Sequence, residues 1–315
     1  MEGGAAPRAA RLAAHAAAPA ARVRHRRLRA ARTAARRSGS DTLAIVSALH
    51  RSGSSAAPPD APSAASRVAL VTGAGRRLGR AVALGLAQAG WDVAVHYGRS
   101  HDEARHAAEA IRATGRRAAT LQADLADADQ AGALVARAAE ALGPVTCLVN
   151  SASRFEFDRP ETFDAALLQA HLAPNLAAPL ALTRALHDAL PADAQGVAIN
   201  LLDQKLANLN PDFFSYTLTK VALEAATRMM ARALGPKLRV VGVSPGITLV
   251  SGDQSAGNFE AAHRMTPLGR SSRPEDIVAA VVFLAGADAI TGVNLTVDGG
   301  QHLMGFDRDV MYLAS

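Results

Sequence analysis

The sequence predicts an α/β fold, a single doubly wound parallel sheet of about seven strands with helices on both faces. From residue 67 onward, short runs rich in β-branched residues alternate with Ala- and Leu-rich segments of helical length. This alternation is typical of βαβ units, whose crossover helices make neighbouring strands parallel. The strand candidates are almost continuously apolar, as expected for strands buried on both faces. The predicted fold is therefore of the Rossmann type.

The individual elements follow from the same pattern. Short apolar runs bounded by turn residues predict strands over residues 68–72, 93–97, 118–122, 145–150, 197–202, 238–243 and 293–297. Longer segments with apolar residues at helical spacing predict helices over residues 78–89, 102–114, 127–142, 160–189, 215–234 and 274–285. No Pro- or Gly-rich linker follows residue 66, so we predict one domain over residues 66–315.

The first 65 residues differ from the rest in composition. They contain eleven Arg, no Lys and three acidic residues, which gives a net charge of +8 against about −2 for the remainder. Large apolar side chains are too few to offset the entropy of ordering this segment. We predict a disordered leader, or upstream sequence read from a misassigned start. An organelle-targeting segment and a non-specific phosphate-binding segment are the alternatives.

Two further features exclude classes of protein. The one cysteine, Cys147, rules out a disulfide framework and multi-cysteine metal sites, and its apolar surroundings predict a buried side chain. No run approaches the roughly 18 consecutive apolar residues that suggest a membrane span. We therefore expect no metal, no membrane span and no specific nucleic-acid partner.

A glycine-rich turn joins the first strand to the first helix. It reads Thr-Gly-Ala-Gly-Arg-Arg-Leu-Gly over residues 72–79. Glycines allow the backbone to approach a pyrophosphate, and the helix N-terminus offers it unpaired N–H groups and a positive dipole. The turn predicts a dinucleotide site, with a tight turn that binds no ligand as the alternative.

The end of the second strand selects the cofactor. It reads His96-Tyr-Gly-Arg-Ser100, without the acid that usually holds the ribose 2′-hydroxyl of NAD. Arg99 offers several N–H donors and Ser100 a hydroxyl, both suited to the 2′-phosphate of NADP. We therefore predict NADPH. Asp124, just after the third strand, is expected either to meet the adenine edge or to cap the next helix.

Tyr216 and Lys220 lie four residues apart in a predicted helix, on one face of it. A free phenol has a pKa near 10, and a neighbouring cation is expected to lower it, as an acid–base tyrosine requires. Asp203 ends an apolar strand thirteen residues before Tyr216, at the sheet edge where open α/β sheets place ligands.

Four short motifs follow one another along the chain: the Thr-Gly turn, Asn-Ser-Ala-Ser at 150–153, Tyr-x-x-x-Lys at 216–220 and Ser-Pro-Gly at 244–246. Together they resemble the short-chain dehydrogenase/reductase family over residues 66–315. Arg77 stands where that family usually has Gly, and Asp203 where it usually has its catalytic Ser. With Phe155, these departures resemble the pteridine reductase branch and the bacterial dihydromonapterin or dihydrofolate reductases.

The resemblance implies NADPH-dependent reduction of a dihydropterin to the tetrahydro form. By resemblance, the catalytic residues are Asp203, Tyr216, Lys220 and Asn175, the last of which links the lysine to water. The implied substrate contacts are Arg77, Ser153, Phe155, Asp203 and Tyr216, with Phe155 stacked on the pterin. The expected cofactor contacts are Gly73, Arg76, Arg77, Leu78, Gly79, His96, Tyr97, Arg99, Ser100, Asp124, Leu125, Asn150, Ser151, Ala152, Lys220, Pro245 and Gly246.

The exchange of Ser for Asp at position 203 also has a chemical reason. A dihydropterin presents a ring imine whose nitrogen gains a proton while its carbon receives hydride. An Asp whose pKa is raised in a partly apolar site can donate that proton or hold the group that does. The alternatives are a short-chain reductase of a ketone, 3-oxoacyl or sugar substrate, and a protein that binds NADPH without turnover.

Assembly and location are expected by analogy with the family. The resemblance implies a homo-oligomer, a tetramer, in the cytoplasm unless the leader directs the chain to an organelle. The segment 252–265 is the expected lid over the substrate. The tail 304–315, which includes Phe306, Met311, Tyr312 and Leu313, is expected to dock on a neighbouring subunit.

Overall fold

Seven parallel strands form one sheet in the order β3-β2-β1-β4-β5-β6-β7. The structure, a computed structural model, describes residues 67–251 and 254–314, so the predictions for the leader lie outside the described residues. The strands are β1 (Val68–Val71), β2 (Asp92–Tyr97), β3 (Ala118–Gln122), β4 (Val145–Asn150), β5 (Gly196–Leu201), β6 (Leu238–Pro245) and β7 (Asn294–Val297). The predicted fold class is confirmed, and every predicted strand is present within two residues of its predicted bounds.

Helices cover both faces of this sheet. They are α1 (Arg77–Gln88), α2 (His101–Arg112), α3 (Ala128–Leu142), α4 (Ala165–Leu172), α5 (Ala178–Ala189), α6 (Phe214–Leu234), α7 (Ala256–Arg264) and α8 (Pro274–Ala285). Helices α1, α2 and α8 share one apolar core with the sheet. Helices α3, α5 and α6 share a second core on the opposite face.

Strand β1 shows how the two cores are divided. Ala69 and Val71 belong to the first core, whereas Val68 and Leu70 belong to the second. Successive side chains of a strand point to opposite faces, so a fully apolar strand supplies both cores. Cys147 of β4 is also fully buried, as predicted, and burial raises the pKa of its thiol to about 12.

The prediction of one helix over residues 160–189 is wrong. The structure has a 3₁₀ turn (Pro160–Thr162), then α4, a π-helical turn (Ala173–Ala177) and α5. Pro174 explains the interruption, because proline lacks an N–H group and its ring clashes with the carbonyl four residues earlier. In the described part of the chain, Ala165–Ala189 is the one helical stretch that passes a length-and-composition test for a membrane span. Core helices pass the same test, and Leu182 and Leu186 of α5 are fully buried in the second core.

The sequence pattern did not predict α7. Its segment lacks a clear apolar period, and the helix begins at a cap in which the Ser255 hydroxyl accepts a 3.1 Å hydrogen bond from the Asn258 N–H. This cap stabilises a first turn that the hydrophobic pattern does not mark.

The strand order places a crevice at the carboxyl ends of β1 and β4. The connections from β1 run to one side of the sheet and those from β4 to the other, so the loops above them diverge. Buried amides fix this edge: Asn150 Nδ2 donates to Asn200 Oδ1 at 2.8 Å, and Asn200 Nδ2 donates to Thr227 of α6 at 2.9 Å. The loops that follow these strands are therefore held in place for a site.

Candidate active site

A cleft of about 740 Å³ opens at the carboxyl ends of the strands. Its volume lies within the roughly 300–1,000 Å³ typical of small-molecule sites. Most residues predicted for the site line this cleft: Gly73, Arg76, Arg77, Leu78, Gly79, Tyr97, Arg99, Ser100, Ser151, Ala152, Ser153, Phe155, Asp203, Tyr216, Lys220, Pro245 and Gly246. Most of the predicted site residues therefore lie together in this cleft.

The glycine turn forms one end of the cleft. Gly73 has a φ of +65°, and a Cβ on Gly79 would lie 2.4 Å from the Gly73 carbonyl oxygen, so no side chain fits there. The Thr72 hydroxyl accepts hydrogen bonds from the backbone N–H groups of Ser151 and Ala152 at 2.9 and 3.0 Å, which ties the turn to the loop after β4. Helix α1 begins with no acidic residue in its first turn. Its first N–H groups are therefore suited to an anion.

Two arginines add positive charge beside this turn. Arg76 and Arg99 are exposed and line the cleft. Arg76 makes one loose ion pair, 3.9 Å from Glu103, and Arg99 has no ion pair among the residues that the structure describes. Ser100 lies between Arg99 and α2 and also lines the cleft. This group of donors fits a phosphate at the end of β2.

His96 does not line the cleft, in contrast to the prediction that it contacts the cofactor. It is buried, its Nδ1 accepts a 3.1 Å hydrogen bond from the Gly73 N–H, and its Nε2 lies 3.2 Å from the Ala123 carbonyl oxygen. These two partners require a neutral ring with the proton on Nε2. Burial lowers the pKa of His96 to about 4, which is consistent with this form. His96 therefore fixes the glycine turn from behind.

Three more predicted cofactor contacts lie outside the cleft lining. The Asp124 side chain accepts a 2.9 Å hydrogen bond from the Ala126 N–H, so it closes a local turn. Leu125 belongs to the second apolar core, and Asn150 is paired with Asn200 inside the sheet. Each of these side chains already has a structural partner, which a sequence motif does not reveal.

Asp203, Tyr216 and Lys220 meet at the centre of the cleft. The Tyr216 hydroxyl donates a 2.8 Å hydrogen bond to Asp203 Oδ2. Asp203 Oδ1 accepts a 2.8 Å bond from the Lys205 N–H, so the same carboxylate caps the short turn Gln204–Ala207. Lys220 Nζ donates a 2.7 Å bond to the Leu201 carbonyl and lies 5.6 Å from the centre of the Tyr216 ring. The Asp203 carboxylate thus both caps the turn and contacts Tyr216.

The electrostatics of this group differ from the sequence expectation in one respect. Burial and the Asp203 carboxylate raise the pKa of Tyr216 well above 10, so the expected lowering by Lys220 is wrong. Burial lowers the pKa of Lys220 to about 8, against the attraction of Asp203. Burial also raises the pKa of Asp203. At neutral pH, Tyr216 is a protonated donor beside a carboxyl group that ionises with difficulty.

Aromatic rings form the substrate end of the cleft. Phe155 stacks on Phe213 with ring centres 4.1 Å apart and meets the edge of Tyr216 at 4.7 Å. Phe155 is 40% exposed, so part of its ring is open to a ligand. Arg77 Nη2 donates a 3.2 Å hydrogen bond to the Ser251 hydroxyl across the cleft. This end of the cleft can therefore hold a flat ring with polar edges.

Asn175 lies in the π-helical turn behind the cleft. Its Oδ1 accepts a 2.8 Å hydrogen bond from the Arg154 N–H, and its Nδ2 donates to the Arg154 carbonyl at 2.9 Å and to Thr219 at 3.2 Å. The Ser153 hydroxyl donates to Asn175 Oδ1 at 3.3 Å. Asn175 therefore holds the loop after β4 against α6. Its link to Lys220 through water stays a prediction.

Sequence reasoning missed the C-terminal wall of the cleft. Asp309, Val310 and Met311 line it, and so do residues 247–249 after β6. Val310 of the tail is buried against its own chain, whereas docking of the tail on a neighbouring subunit stays a prediction. No motif marks these residues, and the apolar content of the tail indicates only that it packs somewhere.

The sheet topology, the glycine turn and the Asp–Tyr–Lys group define a dinucleotide-binding oxidoreductase. Residues 73–302 match the family model described as enoyl-(acyl carrier protein) reductase. The chain belongs to the short-chain dehydrogenase/reductase family, as its motifs predicted, and it is an oxidoreductase of that family.

Three similar proteins of known sequence or structure are compared with this chain. A crystal structure of alternative dihydrofolate reductase 1 from Brucella canis, complexed with NADP, is 40% identical with a TM-score of 0.71, over 75% of this chain and 94% of that chain. An uncharacterized oxidoreductase of Methylorubrum extorquens is 37% identical over 74% of this chain and 97% of its own length. The 3-oxoacyl-(acyl-carrier-protein) reductase of Staphylococcus aureus is 32% identical over 75% of this chain and 98% of its own length. Two of these names state a substrate class, dihydrofolate for the first protein and a 3-oxoacyl group for the third.

Proposed function

We propose that this chain reduces a dihydropterin of the dihydrobiopterin, dihydromonapterin or dihydrofolate type to its tetrahydro form with NADPH. The observation that carries the proposal is the 2.8 Å hydrogen bond from Tyr216 to the Asp203 carboxylate, at the position where the family usually has a serine hydroxyl. The 40% identity to a protein named as an alternative dihydrofolate reductase supports the same substrate class.

NADP(H) is the cofactor. Gly73 and Gly79 line the cleft where α1 begins, and the first N–H groups of α1, with no acidic residue in that turn, suit a pyrophosphate. Arg76, Arg99 and Ser100 would hold the 2′-phosphate. Bound NADPH would supply the hydride to the substrate carbon. The solved structure named above contains NADP, in agreement with these donors.

The residues of this chain would supply the proton. In a ring C=N group, the carbon receives the hydride and the nitrogen gains a proton, which yields a saturated C–N bond. A half-buried Asp203 with a raised pKa can hold this proton, and the Tyr216 hydroxyl bonded to it can deliver or replace it. Lys220, fixed by the Leu201 carbonyl, would orient the nicotinamide end, and the Phe155 ring would pack on the flat heterocycle.

Reduction of a ketone or a 3-oxoacyl group is the second candidate. The name of the Staphylococcus aureus relative and the description of the family model favour it. In that reaction Tyr216 alone would protonate the carbonyl oxygen, and Asp203 would only cap its turn and orient the phenol. The two candidates therefore differ in whether the Asp203 carboxyl is required for turnover.

A substrate panel separates the candidates. Purified protein is mixed with NADPH or NADH and with dihydrobiopterin, dihydromonapterin, dihydrofolate, simple ketones or a 3-oxoacyl thioester, and cofactor oxidation is followed by absorbance. We expect turnover of at least one dihydropterin, faster with NADPH. Turnover of ketones or thioesters without any dihydropterin would overturn the proposal. The cytoplasmic location and the tetramer stay predictions from the sequence.

A further inference from the structure

The C-terminal segment 306–314, here called the strap, crosses the substrate end of the cleft. Asp309, Val310 and Met311 line the cleft from this segment. The strap is attached to α7 by Asn258, whose Nδ2 donates to the Met311 carbonyl at 3.0 Å and also to the Ala314 carbonyl. The segment therefore forms part of the cleft wall.

A buried charge holds the strap in place. The Asp212 carboxylate, fully inaccessible to solvent, accepts hydrogen bonds from Arg308 Nε at 2.7 Å and from the Asp309 N–H at 2.8 Å. Arg159 Nη1 reaches the same carboxylate at 2.9 Å. Burial opposes ionisation, but the hydrogen bonds from the strap and the charge of Arg308 hold the pKa of Asp212 below its usual range. Asp212 thus remains an anion that the strap neutralises.

Lys205 connects the strap to the reacting group. Its ammonium, with 3% side-chain exposure, donates to Asp309 Oδ2 at 3.3 Å and to the Asp212 carbonyl. Its backbone N–H donates the 2.8 Å bond to Asp203 Oδ1. A single residue therefore touches both the strap and the carboxylate that meets Tyr216.

A buried ammonium that loses its carboxylate partner is strongly unfavourable. If Asp309 loses its charge, Lys205 is expected to turn toward water, and the turn Gln204–Ala207 must move with it. That movement would break the alignment of Asp203 with Tyr216. Displacements of about 1 Å in a catalytic group can lower a rate by about a hundredfold.

We propose that the strap completes the substrate end of the cleft from within the same chain, and that Asp309 is a positioning residue that holds Lys205 and, through it, Asp203. The inference rests on the proposed roles of Asp203 and Tyr216 as the proton-donating pair. It does not depend on which of the panel compounds is the substrate.

Asp309→Asn tests the proposal, with Asp307→Asn as the matched control. Asp307 is an exposed strap residue two positions away, and the same charge is removed there without contact to Lys205. With the best substrate of the panel, we expect kcat of Asp309→Asn to fall about tenfold or more, while the KM for NADPH changes less than about twofold, since the cofactor end of the cleft is untouched. Asp309→Glu, which restores a carboxylate, is expected to recover most of kcat.

Hydrogen–deuterium exchange provides a readout that needs no substrate. We expect amides of residues 203–212 to exchange faster in Asp309→Asn than in the unsubstituted protein or in Asp307→Asn. If no panel compound is turned over but exchange rises, the proposed function fails and the strap contact stands. Unchanged exchange, or an unchanged kcat in Asp309→Asn, would overturn the positioning role.

Discussion

Arg77 is the residue at which stability and activity are expected to separate. Its φ is +51°, in the left-handed region that is favourable for glycine but costly for a residue with a Cβ. Its guanidinium nevertheless lines the cleft and donates a 3.2 Å hydrogen bond to Ser251. A strained backbone conformation at a residue that lines a cleft indicates that its side chain has a function there. We therefore expect Arg77→Gly to impair activity while the fold is unharmed.

The magnitude follows from three contributions. A left-handed residue with a side chain costs about 1–2 kcal/mol, and the substitution removes this cost. Glycine loses more backbone freedom on folding, about 0.5–1 kcal/mol relative to Ala, and the lost hydrogen bond to Ser251 is worth about 0.5–1.5 kcal/mol. We expect the free energy of unfolding to change by no more than about 1.5 kcal/mol, or roughly 6 °C or less in Tm.

Activity is expected to change much more. Loss of a charged hydrogen bond to a ligand costs about 1.5–3 kcal/mol, so kcat/KM for the substrate should fall by about tenfold to a hundredfold. Arg80→Gly is the matched control, because Arg80 is an exposed residue inside α1 and its replacement by Gly should lower stability by about 1 kcal/mol. Thermal unfolding and steady-state kinetics measure both effects. A loss of more than about 2 kcal/mol in Arg77→Gly, or full activity, would refute the reasoning.

Three further predictions concern the cofactor end and the lysine. Arg99→Ala should raise the KM for NADPH about tenfold or more and leave that for NADH unchanged; equal effects on both would exclude a 2′-phosphate contact. His96→Ala should weaken NADPH binding measured by fluorescence, since the Gly73 N–H loses its acceptor; unchanged affinity would contradict this. Activity should fall as pH rises through about 8, where Lys220 loses its proton; Lys220→Arg should remove that loss, and its persistence would assign the titration elsewhere.

The strands were predictable because burial on both faces leaves a continuous apolar run that few other structures produce. Val68–Val71 is buried at every position, and the turn after it carries its own glycine signal. The sequence did not predict that α4, the π-helical turn and α5 are separate elements. Pro174 indicates an interrupted helix, but it does not determine the backbone conformation at the interruption. Helix α7 was missed because its cap, not its apolar pattern, defines it.

The site was predictable to the extent that its residues lie in short motifs. Asp203 and Tyr216 were paired by their spacing, and the structure joins them by a hydrogen bond. His96 was assigned to the cofactor because it lies at the end of a strand, but the direction of its side chain depends on the pleat and on Gly73. Asp309 is 104 residues from Lys205 along the chain, and only the fold brings the two side chains together.

The most direct test of the central claim is the ratio of kcat/KM for a dihydropterin to that for a ketone in the wild-type protein and in Asp203→Ser. Proton donation by a positioned group contributes about 10²- to 10⁴-fold. We expect Asp203→Ser to lose at least about a hundredfold toward the dihydropterin, with NADPH affinity unchanged and ketone reduction retained or gained. Equal activity of both proteins toward the dihydropterin would show that the carboxyl group takes no part in the reduction.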